Sequence, residues 1–266
     1  MKAEKNYEFR QRLLTVHQAG RRDKDLLPLP DELSLDDSRE ILIPLDADRV
    51  LRRCAEDLRD YLAVSMDIHV AVRPVDDLSA AAGPGRILLG TRADRADLPL
   101  LSGDGPRGFR LDVGDTIAIT GYDSAGVFQG SISLEDQLNI RHAPFLKRGT
   151  SARQPLFSPR MTHSGFGLDQ FPDEHLAAIA HAGLDAILVF VKDIDTTPYG
   201  YLDFNDLCYR AAGYGLDVYA YSYLVSQMHP EDPGADAYYD KVYGSVFAAC
   251  PAFEGIVMVG ESVEFP

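Results

Sequence analysis

The residues of this chain best suited to chemistry are carboxylates that follow runs of apolar residues. Glu261 follows Ile256-Val-Met-Val-Gly, and Glu264 stands shortly after it. Asp193 and Asp195 lie in Val191-Lys-Asp-Ile-Asp-Thr-Thr-Pro, directly after the apolar run from Leu184 to Val191. A carboxyl group at the mouth of an apolar strand loses hydration of its charged form, which raises its pKa and suits it to donate a proton. A second carboxylate, kept ionised, can act as nucleophile or base, and such a pair is what glycosidic cleavage uses. Glu261 is therefore the candidate general acid/base and Glu264 the second catalytic candidate. A solvated loop acid would read the same way.

Other polar residues fall where they could hold a substrate. Arg160 and His163, in Ser158-Pro-Arg-Met-Thr-His, read as the exit of a strand spanning Phe157 to Ser164. Arginine offers a rigid fork of donors for a carboxylate or adjacent hydroxyls. Tyr221, Tyr223 and His229 follow from the strand Leu216-Asp-Val-Tyr-Ala-Tyr-Ser-Tyr-Leu and its loop; aromatic rings stack on sugar faces. Alternation puts Tyr219, Tyr221 and Tyr223 on one side of that strand. The candidate substrate ligands are thus Arg160, His163, Asp193, Asp195, Tyr223 and His229. An ion pair, a rim histidine and polar loop caps are the structural alternatives.

The elements that must position these residues form a series. From Phe157 onward, apolar strands alternate with amphipathic helices: Asp173 to Ala182, Leu202 to Ala212 and Asp236 to Ala249, with a fourth strand at Phe253 to Gly260. Such alternation predicts a parallel sheet in the order 1-2-3-4, covered by helices. Gly183 and Gly215 stand where helices should end. Four βα units make half of a (β/α)8 barrel, in which catalytic residues gather at the C-terminal ends of the strands. The expectation from this count is that the polypeptide continues past Pro266. Open barrel edges also make a homo-oligomer an expectation.

Upstream, residues 1–37 are polar, with a short helical pattern at Phe9, Leu13, Leu14 and Val16, and read as an arm. Residues 38–146 read as a separate α/β sandwich. Its predicted strands include Ile41-Leu-Ile-Pro, Ile68-His-Val-Ala-Val, Arg86-Ile-Leu-Leu-Gly-Thr and a hairpin, Gly108-Phe-Arg-Leu-Asp-Val with Thr116-Ile-Ala-Ile-Thr-Gly. Helices are predicted over Ala47 to Ala63 and Ser124 to Ile140, on one face of the sheet. Arg141 to Pro155 reads as a linker, and 147–266 as the partial barrel.

These two sections together resemble family 20 β-hexosaminidases and family 67 α-glucuronidases. The matching pieces are Arg86-Ile-Leu-Leu-Gly-Thr, Gly108-Phe-Arg-Leu-Asp-Val, and Ile117-Ala-Ile-Thr-Gly-Tyr-Asp-Ser-Ala-Gly-Val-Phe-Gln-Gly with its helix. In those enzymes such a domain precedes a barrel whose first strand bears a sugar-binding arginine, the place of Arg160 here. The resemblance implies a glycoside hydrolase acting on a carbohydrate substrate, with an acid at the end of the fourth strand. Family 20 enzymes carry adjacent Asp-Glu there, whereas this chain has Gly260-Glu261. The resemblance therefore does not extend to acetamido-assisted hydrolysis.

Composition bounds the remaining classes. With 41 acidic and 26 basic residues among 266, the net charge is −15, which disfavours nucleic acid and anionic membrane surfaces as partners. Cys54, Cys208 and Cys250 lack metal-type spacing and read as buried free thiols. No Gly-x-Gly-x-x-Gly after a strand, phosphate loop or His-Glu-x-x-His occurs, so neither a cofactor nor a metal is expected. The N-terminus is charged, and no apolar run reaches the ~20 residues of a membrane span; cytoplasmic is the expectation.

Overall fold

The computed structural model describes residues 5, 8, 11, 14–95, 105–163, 170–222, 228–229 and 231–258. The chain divides into two compact units, Met1–Ser158 and Pro159–Pro266. The fold is α/β: a small α/β domain followed by part of a TIM barrel.

The first unit contains β1 (Glu32–Ser34), β2 (Glu40–Pro44), α1 (Arg49–Met66), β3 (Ala71–Val75), β4 (Arg86–Thr91), β5 (Phe109–Val113), β6 (Ile117–Gly121), α2 (Ser124–Arg141), β7 (Phe145–Lys147) and β8 (Gly149–Arg153). Its main sheet has the order β3-β2-β4-β6-β5-β8. The pairs from β3 to β6 are parallel, while β5 runs antiparallel to both β6 and β8. In β6 every residue is buried, which is why Ile117-Ala-Ile-Thr-Gly lacks charge altogether.

Helix α1 starts where the Asp48 carboxylate accepts a hydrogen bond from the Leu51 amide at 2.8 Å, a cap that satisfies an otherwise unpaired donor. Its buried residues, including Leu51, Ala55, Leu58 and Leu62, recur at three- and four-residue spacing and form one apolar stripe. Helices α1 and α2 pack on each other and both touch β4, so they share one face, as the patterning predicts. A Cβ on Gly130 of α2 would come within 2.5 Å of Ile119 and 3.1 Å of Phe109; glycine there lets the helix lie against the sheet. On the opposite face Leu42, Leu88 and Ala118 are closed over by Leu78.

Three expectations are corrected here. The strand read at Ile68 to Val72 lies at Ala71–Val75 instead. Ile68 is buried but belongs to the turn out of α1, where its amide bonds to the Leu62 carbonyl. Strand β3 ends the sheet order and so tolerates Pro74. The stretch Arg141 to Pro155 is not a linker: β7 pairs with β1, and β8 pairs with β5. Because β8 belongs to the first sheet, the divide falls after Ser158 rather than at 146/147. Its sequence, Gly-Thr-Ser-Ala-Arg, sits at an exposed edge and carries no apolar alternation to reveal it.

The second unit comprises β9 (Met161–His163), α3 (Asp173–His181), β10 (Ala186–Val191), β11 (Thr196–Thr197), β12 (Gly200–Tyr201), α4 (Phe204–Ala212), β13 (Asp217–Ser222), α5 (Ala235–Ala249) and β14 (Gly255–Val257). Strands β9, β10, β13 and β14 form a parallel sheet in sequential order, as predicted. All six residues of β10 are buried. Gly183 and Gly215 adopt φ of 77° and 69°, the left-handed conformation that ends α3 and α4. The first strand starts at Met161 rather than at the predicted Phe157; Leu156 and Phe157 are exposed and outside it. Among the described residues, no helix is long and apolar enough to cross a membrane.

Candidate functional site

The two faces of the parallel sheet differ. Ile187, Val189, Val191, Val218 and Ala220 form a fully buried set. Crossovers that step in one direction place their helices on one face, and this buried set marks it. The opposite, barrel-interior face carries His163, Leu188, Phe190, Tyr219 and Tyr221, aligned by the pairs His163↔Leu188, Leu188↔Tyr219 and Phe190↔Tyr221. The Phe190 ring stands edge-on to His163 at 5.8 Å and to Tyr221 at 4.8 Å, between centroids. Tyr219 and Tyr221 thus lie on one face, as alternation requires. The Tyr219 ring lies over Gly255, where a Cβ would come within 3.2 Å of it.

His163 is the last described residue of β9; it is exposed and pairs with Leu188, midway along β10. Asp193 and Asp195 lie in the loop leaving β10, at the C-terminal end of the sheet by chain direction. Asp193 is exposed, and its carboxylate accepts from the Ile194 amide at 2.7 Å. Asp195 has φ 48°, and its side chain accepts the Phe204 amide at 3.0 Å, so it helps cap α4. His229 follows β13; its Nδ1 accepts from the Glu231 amide at 3.2 Å in the turn before α5.

Arg160 is placed otherwise. It precedes β9 rather than following it, and it is bound to Asp185, the residue before β10. Asp185 is 1% exposed. It accepts the Arg160 Nε at 2.9 Å and the Arg160 backbone amide at 2.6 Å. Both residues therefore stand at the N-terminal entry of the sheet, opposite His163. The expectation that Arg160 shares a rim with His163 and Asp193 is corrected: the strand begins at Met161, so a residue before it lies at the wrong end. Glu261, Glu264 and Tyr223 lie outside the described residues.

Two features escaped the sequence reading. The loop after β10 contains the β11–β12 hairpin, which presents Tyr199 and Tyr201 to solvent at 60% and 69% exposure. Partial loss of hydration, then the charges of Asp203 and Asp195, raise the Tyr201 phenol pKa. Thr-Thr-Pro-Tyr-Gly-Tyr, with a turn-forming Pro and Gly between polar and aromatic residues, was the available signal. The second lies in the first unit. His17 Nε2 stands 3.4 Å from an Asp57 oxygen and 3.9 Å from a Glu135 oxygen, and its ring packs edge-on to Tyr61 at 5.7 Å. Glu135 is 2% exposed. The ligand-type atoms of these three residues lie within 4.8 Å of one another. A histidine between carboxylates holds the N-terminal arm onto α1 and α2, and it could also offer ligands to a divalent ion. Residues so distant in the chain gave no local signal.

No family model matches the chain, and no curated protein matches it. Solved structures do. A GH138 enzyme targeting pectin rhamnogalacturonan II is similar over 84% of this chain and 39% of its own, with 15% identity and a TM-score of 0.59. CpGH84B is similar over 93% of this chain and 44% of its own, with 14% identity and a TM-score of 0.61. The Flavobacterium johnsoniae chitobiase FjGH20 is similar over 87% and 42%, respectively, with 14% identity and a TM-score of 0.60. This chain spans less than half the length of each of these structures. At such identities the likeness is one of fold, and it is shared with glycoside hydrolases of several families.

Proposed function

We propose that this chain is part of a glycoside hydrolase, acting on a carbohydrate through the C-terminal end of its parallel sheet. The observation that carries the reading is the sequential four-stranded parallel sheet, preceded by an α/β domain, in a fold shared with glycosidases. Glu261, which follows the fourth strand in the sequence, is the proposed general acid/base, and the residue before it, Gly260, has no side chain. Glu264 is the second acid candidate. His163, exposed on the interior face, and Asp193, exposed in the loop after β10, are the proposed substrate contacts. Asp195 and His229 also follow strands in the chain but spend polar atoms on a local cap and turn.

The experiment compares wild type with Glu261→Gln on two substrate classes. Loss of a general acid should lower kcat by roughly 100-fold or more on poor leaving groups. Activated aryl glycosides, which leave without protonation, should lose much less. Equal loss on both classes would assign Glu261 a structural role.

One observation favours a second reading, a non-catalytic half barrel that binds sugar or a protein partner. Among the described strand residues on the interior face, the register leaves Asp217 as the one carboxylate, and it sits at the entry end. Most glycoside hydrolases use two carboxyl groups flanking the bond. Oligosaccharide binding measured by calorimetry, with no turnover detectable on activated substrates, would select this second reading.

A further inference from the structure

Cys208, in the middle of α4, and Cys250, at the end of α5, bring their sulfurs to 3.7 Å from each other. They are 5% and 1% exposed. The contact sits in a well-defined seam. Asn205 Nδ2 donates to the Ala249 carbonyl at 3.0 Å, and the rings of Phe204 and Phe253 pack at 5.4 Å. The Cys250 amide bonds to the Val246 carbonyl, and Phe253 returns a bond to the Cys250 carbonyl, so the turn into β14 is ordered at the cysteine itself. Sulfur separation must fall from 3.7 Å to about 2.05 Å for a covalent bond.

We propose that Cys208 and Cys250 are a redox-modifiable dithiol, closed to a disulfide by exchange with a small-molecule disulfide, and that the bond ties α4 to the turn entering β14. One thiolate attacks the small disulfide, forming a mixed disulfide and releasing one small thiolate. The second cysteine, once deprotonated, attacks the protein sulfur of that mixed disulfide and expels the other small thiolate. The two cysteine protons finish on the two released thiols, and the two electrons pass from the cysteine pair to the small disulfide. Burial raises the pKa of both thiols, with the neighbouring sulfur adding to the rise at Cys208. The exchange is therefore slow in the native state, because thiolate is scarce, and requires transient opening of the seam. Cys54 is buried in α1 of the first unit. The proposal is independent of the glycosidase reading.

The test incubates the chain with glutathione disulfide at mildly alkaline pH until the thiol titre is constant. The expected product has one titratable thiol of the original three, a mass lower by two hydrogens, and a Cys208–Cys250 cross-linked peptide on non-reducing digestion. Closing a loop of this size should raise the thermal midpoint by roughly 5 °C. Cys54→Ser should form the same bond, while neither Cys208→Ser nor Cys250→Ala should. Three thiols persisting at equilibrium would overturn the proposal. So would stable glutathione adducts, a bond through Cys54 or between chains, or a lower midpoint in the oxidised form. The mass and thiol readings use the wild-type chain and do not depend on a variant folding.

Discussion

Arg160 and Asp185 clasp each other at the entrance to the parallel sheet. Asp185 receives both the guanidinium Nε, at 2.9 Å, and the backbone amide of Arg160, at 2.6 Å. Asp185 and Ala186 in turn donate their backbone amides to the Arg160 carbonyl. The pair joins the first two strands of the unit before their ladder begins. With Asp185 almost fully buried, the arrangement is a fastening of the sheet and not a substrate site.

Removing that acid should therefore affect folding. Asp185→Ala leaves the guanidinium and amide without their buried acceptor and should destabilise the chain by about 3 kcal/mol. Denaturant unfolding measures this. Arg160→Ala should lower stability too, while leaving carbohydrate binding unchanged in the folded fraction. A selective loss of binding at unchanged stability would restore Arg160 to the substrate site.

Gly130→Ala tests the close packing of α2 on the first sheet. The added methyl would meet Ile119 at 2.5 Å, closer than side chains tolerate, so the helix or the strand must shift. A loss of about 2 kcal/mol is expected, despite alanine's higher helix propensity. A neutral or stabilising result in denaturant unfolding would mean that the seam relaxes freely.

The acid limb of stability should depend on Glu32. Arg141 grips its carboxylate through two nitrogens, at 2.7 and 3.2 Å, and lowers its pKa below the usual 4.5. The unfolded chain then binds the proton more readily than the folded one. The stabilisation is full above the unfolded pKa and lost as the pH falls through the lower folded value. Urea midpoints compared at neutral and acid pH should show a smaller decline for Glu32→Gln than for wild type.

If the chain acts on carbohydrate, the exposed tyrosines of the β11–β12 hairpin are placed to stack on a sugar ring. Tyr201→Ala should weaken oligosaccharide binding by roughly tenfold, equivalent to about 1.4 kcal/mol. The thermal midpoint should stay unchanged, since the ring is largely in solvent. Calorimetry with an oligosaccharide series checks it, and unchanged affinity across the series would remove the hairpin from the site.

Much of the architecture was determined by sequence alone. The run from Ala186 to Val191 has no charge because both faces of β10 are buried, and Gly183 and Gly215 end helices because they accept positive φ. These are local demands, and local residues meet them. Tertiary structure decided the rest. Arg160 stands just before β9 starts at Met161, so the position of that start decides whether it lies at the entry of the sheet or at its exit. Strand β8 exists because β5 offers it an edge, which nothing in Gly-Thr-Ser-Ala-Arg announces. The approach of His17 to Asp57 and Glu135, and of Cys208 to Cys250, depends on how helices from separated segments pack. Patterns of period two and 3.6 report which face of an element is buried, but not which distant side chain meets it there.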